Sequence, residues 1–352
     1  MQAYDVAQSD PAVRATVPRF TTQENLLVRG FVVNSRDYAF DGYFGLTDPR
    51  RSAIEGVERL EILTGPGSLL FGQAPLGAVG GVVNLIPKRA GSAPLNRFTT
   101  LYQSNGTLGG AFDAGRRFGK DDAVGVRLNG AFTGGEVPVN GQSNQVGVFT
   151  AGLDWRGDRA RISGDFGYQY LNYDRVQNNY NVLSGFAVPK APHADLNQSP
   201  RWETGRSDQI FGLLRGEYDV ADNVTAYGAF GEAQHTERFL LAKPTIINNR
   251  GDLRFQGSLN DGEFENVKIG EIGERGQFDI GPVRNAPSLS LNGYWQESGF
   301  TGAKVGGAVP VQPVRSLLRA EAEPRRSGHE PSAHQHDLVD ERRFRRHGID
   351  PR

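Results

Sequence analysis

From Val124 onward, hydrophobic and polar residues alternate with a period of two. Val124, Val126, Leu128, Gly130 and Phe132 take one parity, and Gly125, Arg127, Asn129, Ala131 and Thr133 the other. Phe149, Ala151, Leu153 and Trp155 alternate with Thr150, Gly152 and Asp154. Ile162, Gly164, Phe166, Tyr168 and Tyr170 alternate with Arg161, Ser163, Asp165, Gly167 and Gln169. Successive side chains of an extended strand point to opposite faces, so this pattern predicts strands with one apolar and one wet face. It predicts nine of them, over 97–104, 107–118, 122–134, 144–155, 159–173, 206–219, 223–237, 264–280 and 288–300. In the eighth, Glu271 and Arg275 interrupt the apolar face.

The connections are sorted by length. "GKDD" (119–122), "RGD" (156–158), "ADN" (221–223) and "GPVRNAP" (281–287) are short. The alternate slots hold the long segments 174–205 and 239–263, although the first of these slots, "SNG" at 104–106, is also short. Outer-membrane barrels show this asymmetry, with short turns at one rim and long loops at the other. A β-sandwich has no reason to sort its loops this way.

Upstream lies "VERLEILTGPGSLLFGQAPLGAVGGVVNLIPKRA", residues 57–90. Leu60 and Ile62 alternate with Arg59, Glu61 and Leu63, and Gly65-Pro66-Gly67 ends that run. "SLLFG" reads as a short helical turn. "GAVGGVVNLIPK" reads as a strand with glycines where neighbouring backbone approaches closely. No Gly-Lys-Ser/Thr follows, and the glycine spacing does not fit a dinucleotide fingerprint, so this is not a phosphate cradle.

"VRGF" (28–31), "DG" (41–42), "VERLEILTGPGSLLFGQ" and "GAVGGVVNLIPKRA" stand in the order and spacing of a known domain. Together they resemble the plug of TonB-dependent outer-membrane receptors, with the ferric-siderophore branch nearest. The residues carrying the resemblance are Arg29, Gly30, Phe31, Asp41, Gly42, Glu58, Arg59, Glu61, Gly65, Pro66, Gly72, Gly80, Gly81, Asn84 and Lys88. The resemblance implies an all-β transmembrane barrel with a small α+β plug domain. The family's barrel has about 22 strands, so the wall here is expected to be an incomplete, open sheet. The implied division is plug over 1–90, of which this would be the C-terminal part, partial barrel over 96–311, and a further segment over 312–352.

The implied function is a receptor and transporter for ferric siderophores in the cell outer membrane, energised by TonB, and not an enzyme. Iron would enter only within the bound siderophore, with no cofactor or metal site of the protein's own. The partners would be the ferric siderophore, TonB and outer-membrane lipid. Arg29, Asp41, Tyr43 and Phe44 are candidate ligand contacts, since cations and aromatics suit an anionic, often aromatic chelate. An ion pair with the wall is an alternative role for Arg29, and packing within the plug for Tyr43 and Phe44. Tyr168, Tyr170 and Tyr173 are expected at the membrane interface. Glu58, Arg59 and Glu61 read as lumen-facing pairing charges; no nucleophile or His stands beside them for acid–base work.

Composition adds exclusions. A net charge of -1 supplies no bulk basic field for nucleic acid. The absence of cysteine removes a disulfide scaffold and thiolate metal sites. No run of about 18 apolar residues exists, so no transmembrane helix is expected. A mean hydropathy of -0.47 is still compatible with a barrel, whose lumen residues are polar.

The two ends are less regular. "MQAYDVAQSDPAVRATVPRF" lacks the basic start and apolar core of a signal peptide, and nothing matches an energy-coupling segment. From about residue 312 the chain becomes rich in Arg and His without strand period or turn chemistry. His334 and His336 have no suitably spaced partner for a metal, and a basic amphipathic helix fits poorly. Translation in a shifted frame explains this composition best, and 312–352 is expected to be disordered. On that reading the chain is a truncated, non-transporting fragment. The rival classes are a soluble or secreted β-rich binding protein and a simple porin; the porin would lack the plug block.

Overall fold

The computed structural model describes residues 3–7, 9–17, 20–176, 179–300 and 304–305. After a one-turn helix α1 (Ala3–Ala7), the strands β1 (Val13–Ala15), β2 (Leu26–Val28) and β3 (Phe31–Val33) form a small antiparallel sheet. Next come β4 (Tyr38–Phe40), β5 (Tyr43–Phe44), β6 (Val57–Thr64), the helical turn α2 (Ser68–Phe71) and β7 (Gly81–Pro87). Their sheet runs β5-β4-β7-β6 and is mixed, because β4 lies parallel to β7. The glycine-rich stretch thus folds as strand, turn, helical turn and strand, in the order its pattern predicts.

Nine long strands make the wall: β8 (Leu95–Gln103), β9 (Thr107–Phe118), β10 (Val124–Glu136), β11 (Ser143–Arg156), β12 (Ala160–Asp174), β14 (Thr204–Ala221), β15 (Val224–Ile246), β16 (Leu253–Gly276) and β19 (Ser288–Phe300). Each pairs antiparallel with its neighbours along the chain. Short accessories are β13 (Asn181–Val182), β17 (Phe278–Ile280), β18 (Val283–Asn285) and β20 (Lys304–Val305). Register keeps the parities aligned, with Val126 opposite Leu153 and Leu128 opposite Ala151. The two outermost wall strands, β8 and β19, each have one unpaired edge among the described residues. Unpaired backbone groups cost several kcal/mol each in lipid.

Burial decides what the wall is for. The apolar parity, including Phe132, Leu153, Ile162, Phe166, Leu214, Tyr218 and Phe230, is exposed. The polar parity, including Arg127, Asn129, Asp154, Asp165, Ser207, Gln209, His235 and Glu237, is buried. A soluble sandwich would do the reverse. The arrangement suits lipid outside and a filled lumen inside. The plug fills that lumen: Val28, Val33, Tyr38, Leu46, Val83 and Leu85 share one core with Leu213, Ala233, Val267 and Ile269 of the wall.

Three expectations need correction. The segment 239–263, read above as a long connection, is mostly strand, and only 247–252 turn between β15 and β16. A bulge at Glu237/Phe239 shifts the parity, so Ala242, Ile246, Leu253 and Phe255 now share the face covered by Tyr180, Val182 and Trp202. A strict period-two search loses a strand at such a shift. The eighth strand ends at Gly276 rather than 280, and 278–285 fold back as the β17–β18 hairpin. Glu271 and Arg275 belong to the wet parity: Arg275 pairs with Glu217 at 2.9 Å. Lastly, Tyr173 has the lumen parity, is buried and donates to Glu237 (3.3 Å), so it does not share the outward face of Tyr168 and Tyr170. The segment 312–352 lies outside the described residues.

Candidate functional site

Charged side chains hold the plug to the wall at three places. Arg36 lies within a tight turn, Ser35–Asp37, whose cap, Asn34, accepts from the Arg36 backbone N–H (3.0 Å). Its guanidinium reaches Glu265 (3.1 Å) and Glu263 (3.4 Å) of β16. Asp48 accepts the backbone N–H groups of Arg50 (2.7 Å) and Arg51 (3.1 Å), a local Asx turn that aims Arg50 at the wall. Arg50 pairs with Glu237 (2.5 Å) and Glu263 (3.0 Å). Gln169 of β12 clasps the same segment, donating to Asp48 (2.8 Å) and the Arg51 carbonyl (2.7 Å) and accepting from Ala53 N–H (3.1 Å).

The second place is centred on Asp41, whose backbone sits at φ +49°. Asp41 accepts from Arg215 of β14, and Arg89 lies 3.9 Å away. Arg89 forks onto Asp165 of β12 with both terminal guanidinium nitrogens. Tyr43 lies under Arg215, 5.6 Å from guanidinium carbon to ring centroid. Burial, with a hydrogen bond to Glu271 added, holds its phenol well above the ordinary range. Gly42 N–H donates to Asn84 (2.9 Å), and Asn84 donates to Glu61 (3.1 Å). A cavity of about 230 Å³ opens here among Asp41, Arg89, Arg161, Arg215 and Glu217. The third place is Lys88, which donates to Asp113 (3.0 Å) and the Glu55 carbonyl (2.7 Å), while Arg127 forks onto the same Asp113.

The four ligand candidates therefore separate. Asp41 and Tyr43 meet at Arg215. Phe44 is buried in the plug against Phe71 (centroids 6.5 Å apart). Arg29 stands apart, exposed at the β2–β3 turn, and makes no ion pair among the described residues. Exposed Phe31 and Val32 follow it, and Phe31 lies against Gly80. Arg59 and Glu61 pair with each other (2.8 Å) at the plug surface rather than with the wall. Sequence reasoning did not single out Arg36, Arg50, Arg89 or Arg215. Their partners carry a usable signal: Asp165, Glu237 and Glu265 are charges on the parity opposite the apolar one.

Asp37 supplies a pH test. It is buried, accepts from Leu76 N–H (2.7 Å), and burial pushes its carboxyl up. A carboxyl raised in the fold stabilises fully below its unfolded value, and that stability is lost as pH rises through the folded one. Plug resistance to protease should therefore fall as pH rises above about 4, and Asp37→Asn should flatten the fall while keeping an acceptor. An unchanged slope in the variant would refute this.

No protein-family description matches the chain. It is 35% identical over 286 residues to the ferrichrome receptor FcuA of Yersinia enterocolitica, covering 81% of this chain and 38% of that protein. Its structure is similar to the ferric preacinetobactin receptor BauA of Acinetobacter baumannii, with TM-score 0.79 and 31% identity over 87% of this chain and 48% of that one. The open form of the ferric-catecholate import receptor Fiu of E. coli shares the fold at 14% identity, with TM-score 0.72 over 90% of this chain and 50% of that one. The chain thus spans about half the length, or less, of the proteins it matches.

Proposed function

Because the chain belongs to the TonB-dependent outer-membrane receptor family, on its ferric-siderophore branch, we propose that it forms plug and wall strands of a receptor that takes up ferric siderophores. The observation that carries this reading is a plug sharing its core and three charged contacts with a wall whose apolar face points outward. A simple porin would keep that lumen open to water. A soluble binding protein would not expose the apolar parity.

On this reading TonB supplies the energy and the plug must loosen from the wall for the chelate to pass. The described strands leave two edges open and do not enclose a passage by themselves, so transport needs wall beyond them. Arg29, exposed and unpaired, is the first ligand contact we assign. Asp41 and Tyr43 are engaged with Arg215 in this arrangement and reach a ligand only after the plug shifts; Phe44 would do so later still. The protein has no catalytic role, and iron passes through within its chelate.

Cells lacking the gene should fail to grow on at least one ferric siderophore under iron limitation. Growth on every ferric chelate tested, with no chelate bound by the purified protein, would point to another substrate class.

A further inference from the structure

Three cavities lie in one file between the plug and the lumen face of β11 and β12. Strand register orders them. From the long-loop rim to the short-turn rim, the facing rows are Val146–Leu171, Val148–Gln169, Thr150–Gly167, Gly152–Asp165 and Asp154–Ser163. The first cavity, about 80 Å³, is lined by Val146, Leu171 and Gln169. The second, about 30 Å³, is lined by Val148, Thr150 and the same Gln169. The third is the cavity of about 230 Å³ beside Asp41, and it begins at Asp154 and Ser163. Of these rows, Gly152–Asp165 alone lines none of the three.

One plug side chain fills that row. Arg89 forks onto Asp165 there, and a Cβ on Gly152 would lie 2.9 Å from its Nη1, so the strand makes room by carrying no side chain at 152. The file is also polar. Ser52 lines the first two cavities and Asn144 the first; both are buried, and the Ser52 hydroxyl and the Asn144 amide oxygen have no partner among the described residues. Buried groups of this kind take water where there is room. The seam on β14–β16 is different, because Leu213, Ala233, Val267 and Ile269 continue the plug's apolar core. Parting a dry seam exposes apolar surface, at a cost that grows with its area. Parting a wet one exchanges polar contacts for water at little net cost.

We propose that the ferric chelate travels down this file, with the plug parting from β11 and β12 and staying docked on β14–β16, and that the Arg89–Asp165 fork is the bar across the path. Ligand sites run from about 300 Å³ upward, so the seam must widen before a chelate enters. Once Arg89 leaves Asp165, the second and third cavities join. Its guanidinium then faces the path and can take anionic oxygens of the chelate in paired hydrogen bonds. The proposal rests on reading the chain as part of a siderophore receptor.

The chain has no cysteine, so introduced thiols report alone. Val148→Cys and Val267→Cys place one in each seam, both at buried positions. In the purified full chain, a water-soluble maleimide should label Val148→Cys faster than Val267→Cys. Arg89→Ala/Asp165→Asn should speed the labelling of Val148→Cys about tenfold or more and leave that of Val267→Cys alone. Passage itself is read in cells carrying the gene, given radioactive iron as ferric hydroxamate and ferric catecholate siderophores. A Gly56→Cys/Thr150→Cys disulfide ties the plug to β11, since a Cβ on Gly56 would lie 3.0 Å from the Thr150 Cβ. It should stop uptake until a reductant is added. A reducible tether between Arg36→Cys and Glu265→Cys, on the docked seam, should leave uptake in place. Equal labelling of the two thiols, an Arg89/Asp165 variant without effect, uptake that survives the first bridge, or uptake stopped by the second would overturn the proposal. Parent cells that take up none of these siderophores would remove the receptor reading, and the proposal with it, whatever the labelling shows.

Discussion

Gly81→Val should unfold the plug and leave the wall's strand content in place. A Cβ at Gly81 would drive into the Leu63 carbonyl oxygen of the paired strand β6, and backbone cannot swing aside as a side chain does. Gly80 is nearly as tight: its Cβ would lie 2.6 Å from the Phe31 Cβ and 3.1 Å from the Val28 carbonyl oxygen. Overpacking a close backbone contact costs about 3 kcal/mol or more, a large share of a small domain's stability. Alanine at 81 should cost less with the same sign, because the first carbon already collides. Gly30 is the control. It has open space around it and φ +90°, so Gly30→Ala meets only backbone strain of roughly 1–2 kcal/mol. The measurement is protease resistance of residues 20–90 in detergent, beside far-ultraviolet circular dichroism for the wall. A Gly81→Val chain as resistant as the parent would show that the glycines serve something other than packing.

Arg50→Ala should release the plug without unfolding it. Arg50 is the cation shared by Glu237 and Glu263, and Glu237 is 2% exposed. Without it, Glu237 keeps only the Tyr173 hydroxyl as a donor among the described residues, at 3.3 Å. Removing one partner of a buried pair costs about 3–5 kcal/mol, mostly because a charge is left buried and uncompensated. Glu237→Gln added to Arg50→Ala removes that charge and should recover a good part of the loss. The cycle of the two single variants and the double one isolates their coupling. Denaturant concentration at plug release, read by cross-linking between plug and wall, is the observable. No shift in Arg50→Ala, or no recovery in the double variant, would place the hold elsewhere, with Lys88 and Arg89 the next contacts to try.

Period-two alternation made the wall legible from the chain alone, because every strand has one face in lipid and one in the lumen, and the side-chain period is a local property. The same locality made the glycine stretch readable: Gly65-Pro66-Gly67 ends a strand wherever it occurs, and a β-branched run resumes one. Locality is also where the reading fails. The β15–β16 hairpin reads as a loop, since one extra residue on β16, within 261–262 opposite Arg238, shifts the register and only the partner strand reveals that pairing continues. Residue type groups Tyr173 with Tyr168 and Tyr170, although its odd number puts it in the lumen. Asp41 and Arg215 are 174 residues apart, and Arg36 and Glu265 are 229 apart. No window of sequence contains both members of such a pair. The sequence determined which residues could face the lumen; only the closed packing of plug against wall decided which of those charges met, because burial makes an unpaired charge too costly to leave without its partner.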